Sequence, residues 1–318
     1  MRVTDIIGCV FGALVLMYAA VVVPLFGTLL MFTSPLLFLF YATRLGLKQG
    51  IVLACLSIMA VSVVSTLTGH RQTIVFCIEF SVLGIVLSEL FRRRFSLGET
   101  VTIALGAMSL FGFLILFGLG AARGLSPSEI IVALLREQFE AASILHNEIG
   151  SQAEDAQAAN QFAEAFVQAV ARIYPALMVI GMGLIVILNV MLARPLFERL
   201  GLDYPEFEPF ERWKAPEKMV WGLIVAGFGS LFASGTPQTA AVNCLLVMVV
   251  VYFFQGLSIG IFYLNKYRVP LLLKGILYIL VVIQQLLVLM LAVVGLFDQW
   301  FDFRRLRNEN RPSDFQSE

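Results

Sequence analysis

Residues 239–264 have the sequence TAAVNCLLVMVVVYFFQGLSIGIFYL and contain no Asp, Glu, Lys or Arg. A helix needs about 20 apolar residues to cross the hydrocarbon core of a bilayer, because each residue advances it by about 1.5 Å. The segment is long enough for such a crossing, and its only strongly polar side chains are amides and hydroxyls. It is therefore predicted to be a transmembrane α-helix.

Eight further apolar stretches accompany this segment. They lie near residues 6–22, 27–43, 50–68, 73–91, 100–122, 174–193, 219–234 and 271–297. Pro35 interrupts 27–43, which is predicted to be a short or broken helix. The segment 219–234 is short and contains three glycines, so a re-entrant piece is the alternative to a crossing. The predicted fold is an all-α, polytopic transmembrane helical bundle of eight or nine spans.

The composition agrees with a chain that lies mostly in a lipid bilayer. Hydrophobic residues make up 59% of the chain and charged residues 14%, and the mean hydropathy is +0.88. The 22 basic and 22 acidic residues balance, so no nucleic-acid partner is expected. Neither the cysteines nor the histidines have the spacing of a metal site, and no nucleotide-binding loop or hydrolase motif occurs. We expect no metal, no cofactor and no enzymatic activity.

The positions of Lys and Arg predict an N-terminus in the cytoplasm, with the protein in the bacterial cytoplasmic (inner) membrane. Nine spans would export the basic residues Arg304, Arg305, Arg307 and Arg311 of the tail. Eight spans would keep them inside but export Lys266, Arg268 and Lys274. The distribution of basic residues therefore distinguishes poorly between eight and nine spans, and we favour a tail in the cytoplasm.

Two polar regions divide the spans. The predicted order is five spans in 1–123, an external hairpin at 124–172, a sixth span at 173–193, a cytoplasmic interfacial segment at 194–218, C-terminal spans at 219–297 and a polar tail at 298–318. In the acidic hairpin, a capping box at Ser126 and Glu129, with Pro127 between them, predicts a helix start. The hairpin is either a connector lying on the membrane surface or a lid over a binding cavity.

Basic and aromatic residues predict contacts near the membrane surface. Arg212, Trp213 and Lys214 in the interfacial segment are typical of an anchor at the bilayer edge, and a docking site for a soluble partner is the alternative. Asp298, Asp302 and Arg304, in the tail, are further candidates for partner or interface contacts.

Glu79 is the strongest functional candidate, because an ionisable group at membrane depth is costly unless it is paired or faces water. It lies well inside the span 73–91, about two turns from His70 and Arg71. Either it binds a ligand or an ion together with those residues, or it is a structural carboxylate that is protonated or paired with one of those bases.

Amide side chains form a second group of candidates. Asn189, Asn243 and Gln255 are candidates for ligand or ion binding, and hydrogen bonding between helices is the simpler explanation. Gly256 and Gly260 follow Gln255 in a GxxxG pattern, which lets another backbone come close. Gly8 and Gly12 have the same spacing in the first span.

Four features of the C-terminal third form a recognisable pattern: Phe254–Leu257, Lys266–Arg268, Trp213 with Pro216 and Trp221, and the run Gly295–Arg305. In these features the chain resembles the YybS-like family of bacterial multi-pass membrane proteins of unknown function. The resemblance would extend over most of the chain. It implies a membrane protein without naming an activity.

A fainter similarity links the first six spans to the substrate-binding S components of energy-coupling-factor transporters. It depends on Pro24, Ser34–Leu37, Arg44–Gly46 and Gly50. The resemblance implies that residues 1–123 are part of an S-component-like bundle, and that a small-residue face on the first helix, here Gly8 and Gly12, meets a transporter-coupling membrane protein. The additional C-terminal spans depart from a six-helix S component.

These observations lead to three functional hypotheses. The first is a small-molecule-binding or transport component with a cavity among the first six helices. The second is a non-transporting membrane scaffold or assembly factor that uses the segment around Trp213 and the tail as partner contacts. The third, an intramembrane enzyme, is the least favoured, because no pair of catalytic groups is visible.

Overall fold

The computed structural model describes residues 2–147 and 153–304, which are mostly helical and contain no β-strand. The helices in this part of the chain are α1 (Val3–Val22), α2 (Pro24–Met31), α3 (Ser34–Leu45), α4 (Leu47–Thr68), α5 (Gln72–Arg92), α6 (Leu97–Arg123), α7 (Pro127–Asn147), α8 (Ala153–Leu200), α9 (Met219–Phe232), α10 (Thr236–Lys266), α11 (Leu271–Ile283) and α12 (Gln285–Phe301), with a 3₁₀ turn at Phe210–Arg212. The all-α fold is confirmed.

The long helices account for the predicted spans. In the described residues, seven helical segments are long and apolar enough to cross a bilayer, with α2 and α3 counted together. An eighth is added if α11 and α12, which meet at an angle of 100°, are counted as one. α9 has 14 residues and is shorter than a usual span. The predicted polytopic bundle is therefore present, and α9 is the apolar helix whose crossing its length alone does not establish.

The second span is broken as predicted, but ahead of Pro35. α2 ends at Met31 and α3 begins at Ser34, so the break lies at Phe32 and Thr33. Pro35 is in the first turn of α3, where the missing N–H has no intrahelical partner to lose. The proline therefore starts a helix here and does not interrupt one.

The capping box at the start of the hairpin is present. The Ser126 hydroxyl and backbone N–H each donate to Glu129 Oε2 at 2.7 Å, and the Glu129 N–H donates back to Ser126 Oγ at 3.4 Å. The Ser126 hydroxyl, and after it the backbone N–H, lower the pKa of Glu129. The second helix of the predicted hairpin and the sixth span are one continuous helix, α8. Residues 148–152, where the hairpin is predicted to turn, lie outside the described residues.

The chain forms two compact units. The first, here called the N-terminal unit, comprises residues 1–156 and 181–207, and the second, the C-terminal unit, comprises residues 157–180 and 208–318. Within the N-terminal unit, Gly84 of α5 lies so close to α3 that a Cβ there would contact the Pro35 carbonyl and the Leu39 N–H. α3 and α5 thus pack with their backbones in near contact.

The C-terminal unit is built on α10. α9 runs antiparallel to it, since Gly222 faces Met248 and Gly229 faces Ala241. The bent pair α11–α12 begins beside the last turn of α10, where Lys274 Nζ donates to Asn265 Oδ1 at 2.6 Å.

The bent pair also ends near the last turns of α10. Tyr263 Oη donates to the carbonyl of Phe303, just after α12, at 2.8 Å. Both ends of the pair thus lie near the same end of α10. A pair bent in this way is either a broken span or a re-entrant pair, and the closeness of its two ends favours the re-entrant arrangement.

Candidate functional site

A cluster of polar side chains lies inside the C-terminal unit, and we call it the Arg304 cluster. Its members are Gln255 and Ser258 of α10, Asp298 of α12 and Arg304 just beyond α12. Their exposed fractions are 0%, 0%, 1% and 4%. Such residues are buried only when hydrogen bonds replace the lost water, so each contact in the cluster is informative.

The Arg304 guanidinium is the centre of the cluster. Its Nη2 donates to Asp298 Oδ2 at 2.9 Å, and both side chains are fully buried. Its Nη1 donates to the carbonyls of Glu211 at 2.7 Å and Trp213 at 3.1 Å, and to Ser258 Oγ at 2.6 Å. One guanidinium thus connects α10, α12 and the chain segment 211–213.

Gln255 adds a second connection between the same three parts of the unit. Its Nε2 donates to Asp298 Oδ2 at 3.1 Å, and its Oε1 accepts from the Ala215 N–H at 3.3 Å. Gln299 Nε2 donates to Gln255 Oε1 at 3.3 Å and to the Ala215 carbonyl at 3.2 Å. Both backbone groups of Ala215 are therefore bonded by side chains of α10 and α12.

The edge of the cluster is partly exposed to solvent. Lys214 and Asp302 form an ion pair with side chains 31% and 16% exposed. The Trp213 ring stacks on Phe210, with ring centroids 6.2 Å apart, while Arg212 is exposed. Of the residues predicted as partner or interface contacts, Asp298 and Arg304 are buried and pair with each other, and Lys214 and Asp302 pair at the edge.

The cluster is suited to holding chain segments together and not to proton transfer or metal binding. Asp298 accepts from Gln255, Arg304 and the Phe303 N–H, so its lone pairs are directed at protein donors. No group of three or more His, Cys, Asp or Glu with metal-binding geometry occurs among the described residues. A buried ion pair of this kind is stable only while its neighbours supply such additional hydrogen bonds.

The candidate acid Glu79 lies in the N-terminal unit, and the structure does not bring it together with the two predicted bases. Glu79 is half-buried in the second turn of α5, whereas His70 and Arg71 precede that helix. None of the described residues forms a hydrogen bond or an ion pair with the Glu79 carboxyl group. The carboxyl group at membrane depth thus has no protein partner in the described part of the chain.

Asn189 bonds helices together in the N-terminal unit. It is fully buried on α8, and its Nδ2 donates to the carbonyls of Ile185 at 2.8 Å and Phe32 at 2.9 Å. Phe32 lies in the break between α2 and α3, where its carbonyl lacks a helical partner. The amide therefore stabilises the broken span, as the simpler explanation of this residue predicts.

Asn243 has a similar role in the C-terminal unit. Its Oδ1 accepts from the Ala176 N–H at 2.8 Å, and its Nδ2 donates to the Arg172 carbonyl at 2.9 Å. These are the two backbone groups that a regular helix would join, and Pro175 lies between them. A side chain inserted at this point is a recognised way for a helix to accommodate a proline.

The predicted glycine pairs are used inside the units. In α1, a Cβ at Gly8 would contact the Tyr41 hydroxyl, and one at Gly12 would lie 3.2 Å from Leu37, both on α3. The role implied by the S-component resemblance, contact of this face with a coupling protein, stays a prediction. In α10, Gly256 meets the backbone of α12, whereas Gly260 has nothing within 4 Å of an added Cβ.

Three residues of the α10–α12 contact were not predicted as site residues. Ser258 and Gln299 belong to the Arg304 cluster, and Gly295 forms the close contact with Gly256. Ser258 follows Gln255 by three residues and so lies on the same face of a helix, a signal that the sequence did contain. The roles of Gln299 and Gly295 could not be predicted in this way, because they depend on where α12 runs.

Comparison with known proteins relates the whole arrangement to one family. Residues 12–299 match the family described as "Predicted membrane protein (DUF2232)". The chain belongs to this family. It is also 24% identical over 287 residues to "Uncharacterized protein YybS" of Bacillus subtilis (strain 168), an alignment that covers 89% of this chain and 91% of the relative. No solved structure matches the chain significantly. The YybS-like resemblance is confirmed, and with it a multi-pass membrane protein of a family without an assigned activity.

Proposed function

We propose that this protein is a small-molecule-binding or transport component of the membrane. The observation that supports the proposal best is the Glu79 carboxyl group, half-buried within α5 and without a partner among the described residues. Carboxyl groups within membrane spans are rare, and those that persist commonly bind substrates, ions or protons. A polar ligand or a cation would supply the missing partner.

Breaks in the membrane helices support the same proposal. α2 and α3 are separated at Phe32 and Thr33, and α11 and α12 meet at 100°. Non-helical backbone at membrane depth is tolerated where it is buried in protein or lines a water-filled cavity, and many transporters place their sites at such breaks. The scaffold hypothesis ranks second. It assigned partner contacts to Lys214, Asp298 and Arg304, but these side chains already form ion pairs within the C-terminal unit.

A thermal-shift screen with Glu79→Gln tests the proposal. Purified protein would be screened against vitamins, nucleosides, amino acids and lipids, and Glu89→Gln is the matched control. Glu89 lies on the same helix but is already paired with Arg92 and Arg93. We expect a compound that raises the melting temperature of the wild type and of Glu89→Gln, but not that of Glu79→Gln. A screen without any stabiliser, or a compound that stabilises Glu79→Gln equally, would contradict the proposal.

We further propose that the N-terminus and the C-terminal tail both lie in the cytoplasm, in the inner membrane of a bacterium. One end of the N-terminal unit joins α1, α3 and α5, through the ion pair of Asp5 with Arg44 at 3.5 Å and the hydrogen bond of Thr43 with Ser88 at 3.1 Å. The basic residues near this end are Arg2, Arg44, Lys48, Arg92, Arg93, Arg94, Arg194 and Arg199. They outnumber Arg71 and Arg123, near the other end of the helices, and Arg136 of α7, which follows Arg123. The positive-inside rule favours the first end as cytoplasmic.

The charge distribution of the C-terminal unit supports the same orientation. The basic residues near the C-terminal end of α10 are Arg212, Lys214, Lys218, Lys266, Arg268, Lys274 and Arg304, while Arg172 lies at the opposite end, where it bonds Gln238 at 3.0 Å. If α11–α12 is re-entrant and α9 crosses, the chain crosses eight times. With this count, the basic residues of the tail and those near Lys266 lie on the same, cytoplasmic side, so neither group has to be exported.

Alkaline phosphatase fusions test this orientation, because the enzyme is active only after export. We expect activity when it is fused after Gly124 and none when it is fused after Arg268 or after Glu318. Activity after Glu318, with none after Arg268, would show that the α11–α12 pair crosses the membrane.

A further inference from the structure

The break between α2 and α3 leaves a backbone carbonyl without its usual partner. In a continuous helix the Met31 carbonyl would accept from the N–H four residues later, but that residue is Pro35, which has no N–H. No other donor among the described residues bonds this carbonyl, and Met31 is only 7% exposed. Leaving a buried carbonyl without a donor is costly, so an additional partner here would stabilise the fold.

Two buried side-chain oxygens at this break also lack partners. Ser34 Oγ, at the start of α3, and Asn189 Oδ1 of α8 belong to fully buried residues, and neither atom has a hydrogen bond within the described part of the chain. Asn189 Nδ2 donates to the carbonyls of Ile185 and Phe32, so Asn189 Oδ1 is directed away from both. Because Phe32 is one residue from Met31 and two from Ser34, these oxygens surround one break.

The carboxyl group of Glu79 lies on the side of α5 that is directed at the same region. The ring of Phe80, the next residue, lies 6.3 Å from that of Phe32. Leu83, one turn after Glu79, belongs to the same buried apolar cluster as Val190 of α8. Since residues four positions apart share one face of a helix, Glu79 lies on the side of α5 that faces α8.

We propose that the Met31 carbonyl, Ser34 Oγ, Asn189 Oδ1 and the Glu79 carboxylate bind a small monovalent cation, and we call this the break site. The inference rests on the proposed function and names the class of ligand that Glu79 takes. Amide and carbonyl oxygens only accept, so each needs a cation or a hydrogen-bond donor. A water molecule has only two hydrogens to donate and leaves the carboxylate charge unbalanced.

The charge and the type of ligand atoms define the class of cation. One carboxylate balances one positive charge, whereas sites for Ca²⁺ commonly contain several carboxylates. Transporters with broken membrane helices coordinate Na⁺ through backbone carbonyls freed at the break, as the Met31 carbonyl is here. The break site therefore fits an alkali cation that has lost most of its water.

The melting temperature of the purified full-length protein in different chlorides tests the break site. Lithium, sodium and potassium chloride would each be compared with N-methylglucamine chloride at equal ionic strength. We expect at least one of these alkali ions to raise the melting temperature by about 3–6 °C, because an ion that binds only the folded state stabilises it.

Variants locate the effect. Ser34→Ala removes only a hydroxyl group without a partner, so it should fold, and together with Glu79→Gln it should lower the shift to less than about half. Ser57→Ala is the matched control and should keep the full shift. Ser57 is an equally buried serine of the same unit, but its hydroxyl already contacts Cys9 Sγ at 3.7 Å.

The break site is overturned if no alkali chloride stabilises the wild type beyond N-methylglucamine chloride, or if either Ser34→Ala or Glu79→Gln keeps the full shift. These outcomes are separate from those of the compound screen. A compound that stabilises the wild type but not Glu79→Gln, without any effect of alkali ions, would leave the proposed function standing and overturn the break site alone. An alkali-ion effect without such a compound would support the break site and contradict binding of a larger ligand.

Discussion

A Gly256→Val variant is expected to lose the packing of α12 on α10 and, with it, the folded C-terminal unit. A Cβ at Gly256 would collide with the Leu291 carbonyl and lie 3.0 Å from Leu291 Cα. These are backbone atoms, which cannot rotate away, so the two helices would have to separate. Overpacking of this kind typically costs about 1–3 kcal/mol, and the rigid backbone contact places Gly256→Val at or above the upper end.

Gly260→Val is the matched control for this prediction. It lies one turn further along the same helix, and nothing lies within 4 Å of an added Cβ. We expect thermal unfolding in detergent, followed by fluorescence-detected size exclusion, to show a large loss for Gly256→Val and little change for Gly260→Val. Equal losses would mean that α10 and α12 do not meet at Gly256.

The sequence pattern identified one side of this contact and not the other. GxxxG pointed to Gly256 because two small residues one turn apart allow close approach. The pattern did not show that only Gly256 of the pair lies in the helix contact, or that Gly295 of α12 faces it. A Cβ at Gly295 would contact the Tyr252 carbonyl and the Gly256 N–H. Pairing depends on where α12 runs, which the sequence of α10 does not contain.

Hydropathy predicted the membrane helices well, because burial in lipid requires long apolar segments. It did not predict the course of the last apolar stretch, 271–297, which is divided at Gln284 into α11 and α12. No Pro or Gly lies at the break, and the only local sequence signal for it is the polar pair Gln284 and Gln285. Counting charges alone therefore gave a near tie for the side of the tail, and the proposed cytoplasmic tail depends on α11–α12 being re-entrant.

The site was predicted in part. The amides at Asn189, Asn243 and Gln255 were recognised as polar groups that need partners at membrane depth, and each forms hydrogen bonds to another segment of its unit. The burial of Asp298 and Arg304 was not foreseen, because a charged segment after an apolar helix normally lies in water. The left-handed backbone of Asp302 allows Arg304 to return to the buried face between α10 and α12, and a charge pattern does not predict such a turn.

The second large effect is expected for Asp298→Asn, which leaves the Arg304 guanidinium buried without its carboxylate. Removing one partner of a buried ion pair costs about 3–5 kcal/mol, because the remaining charge stays desolvated. Arg304→Gln should cost a similar amount for the same reason. Lys214→Gln and Asp302→Asn, at the partly exposed edge of the cluster, should each cost less than about 1 kcal/mol.

A double-mutant cycle distinguishes the ion pair from simple loss of packing. If the cost arises from an uncompensated charge, Asp298→Asn with Arg304→Gln should be less destabilised than the sum of the single variants, by about 1–3 kcal/mol. The same cycle on Lys214 and Asp302 should show nearly additive effects, since solvent screens that pair. Additive effects at Asp298 and Arg304 would mean that the two side chains stabilise the unit independently, through Gln255 and the carbonyls of Glu211 and Trp213.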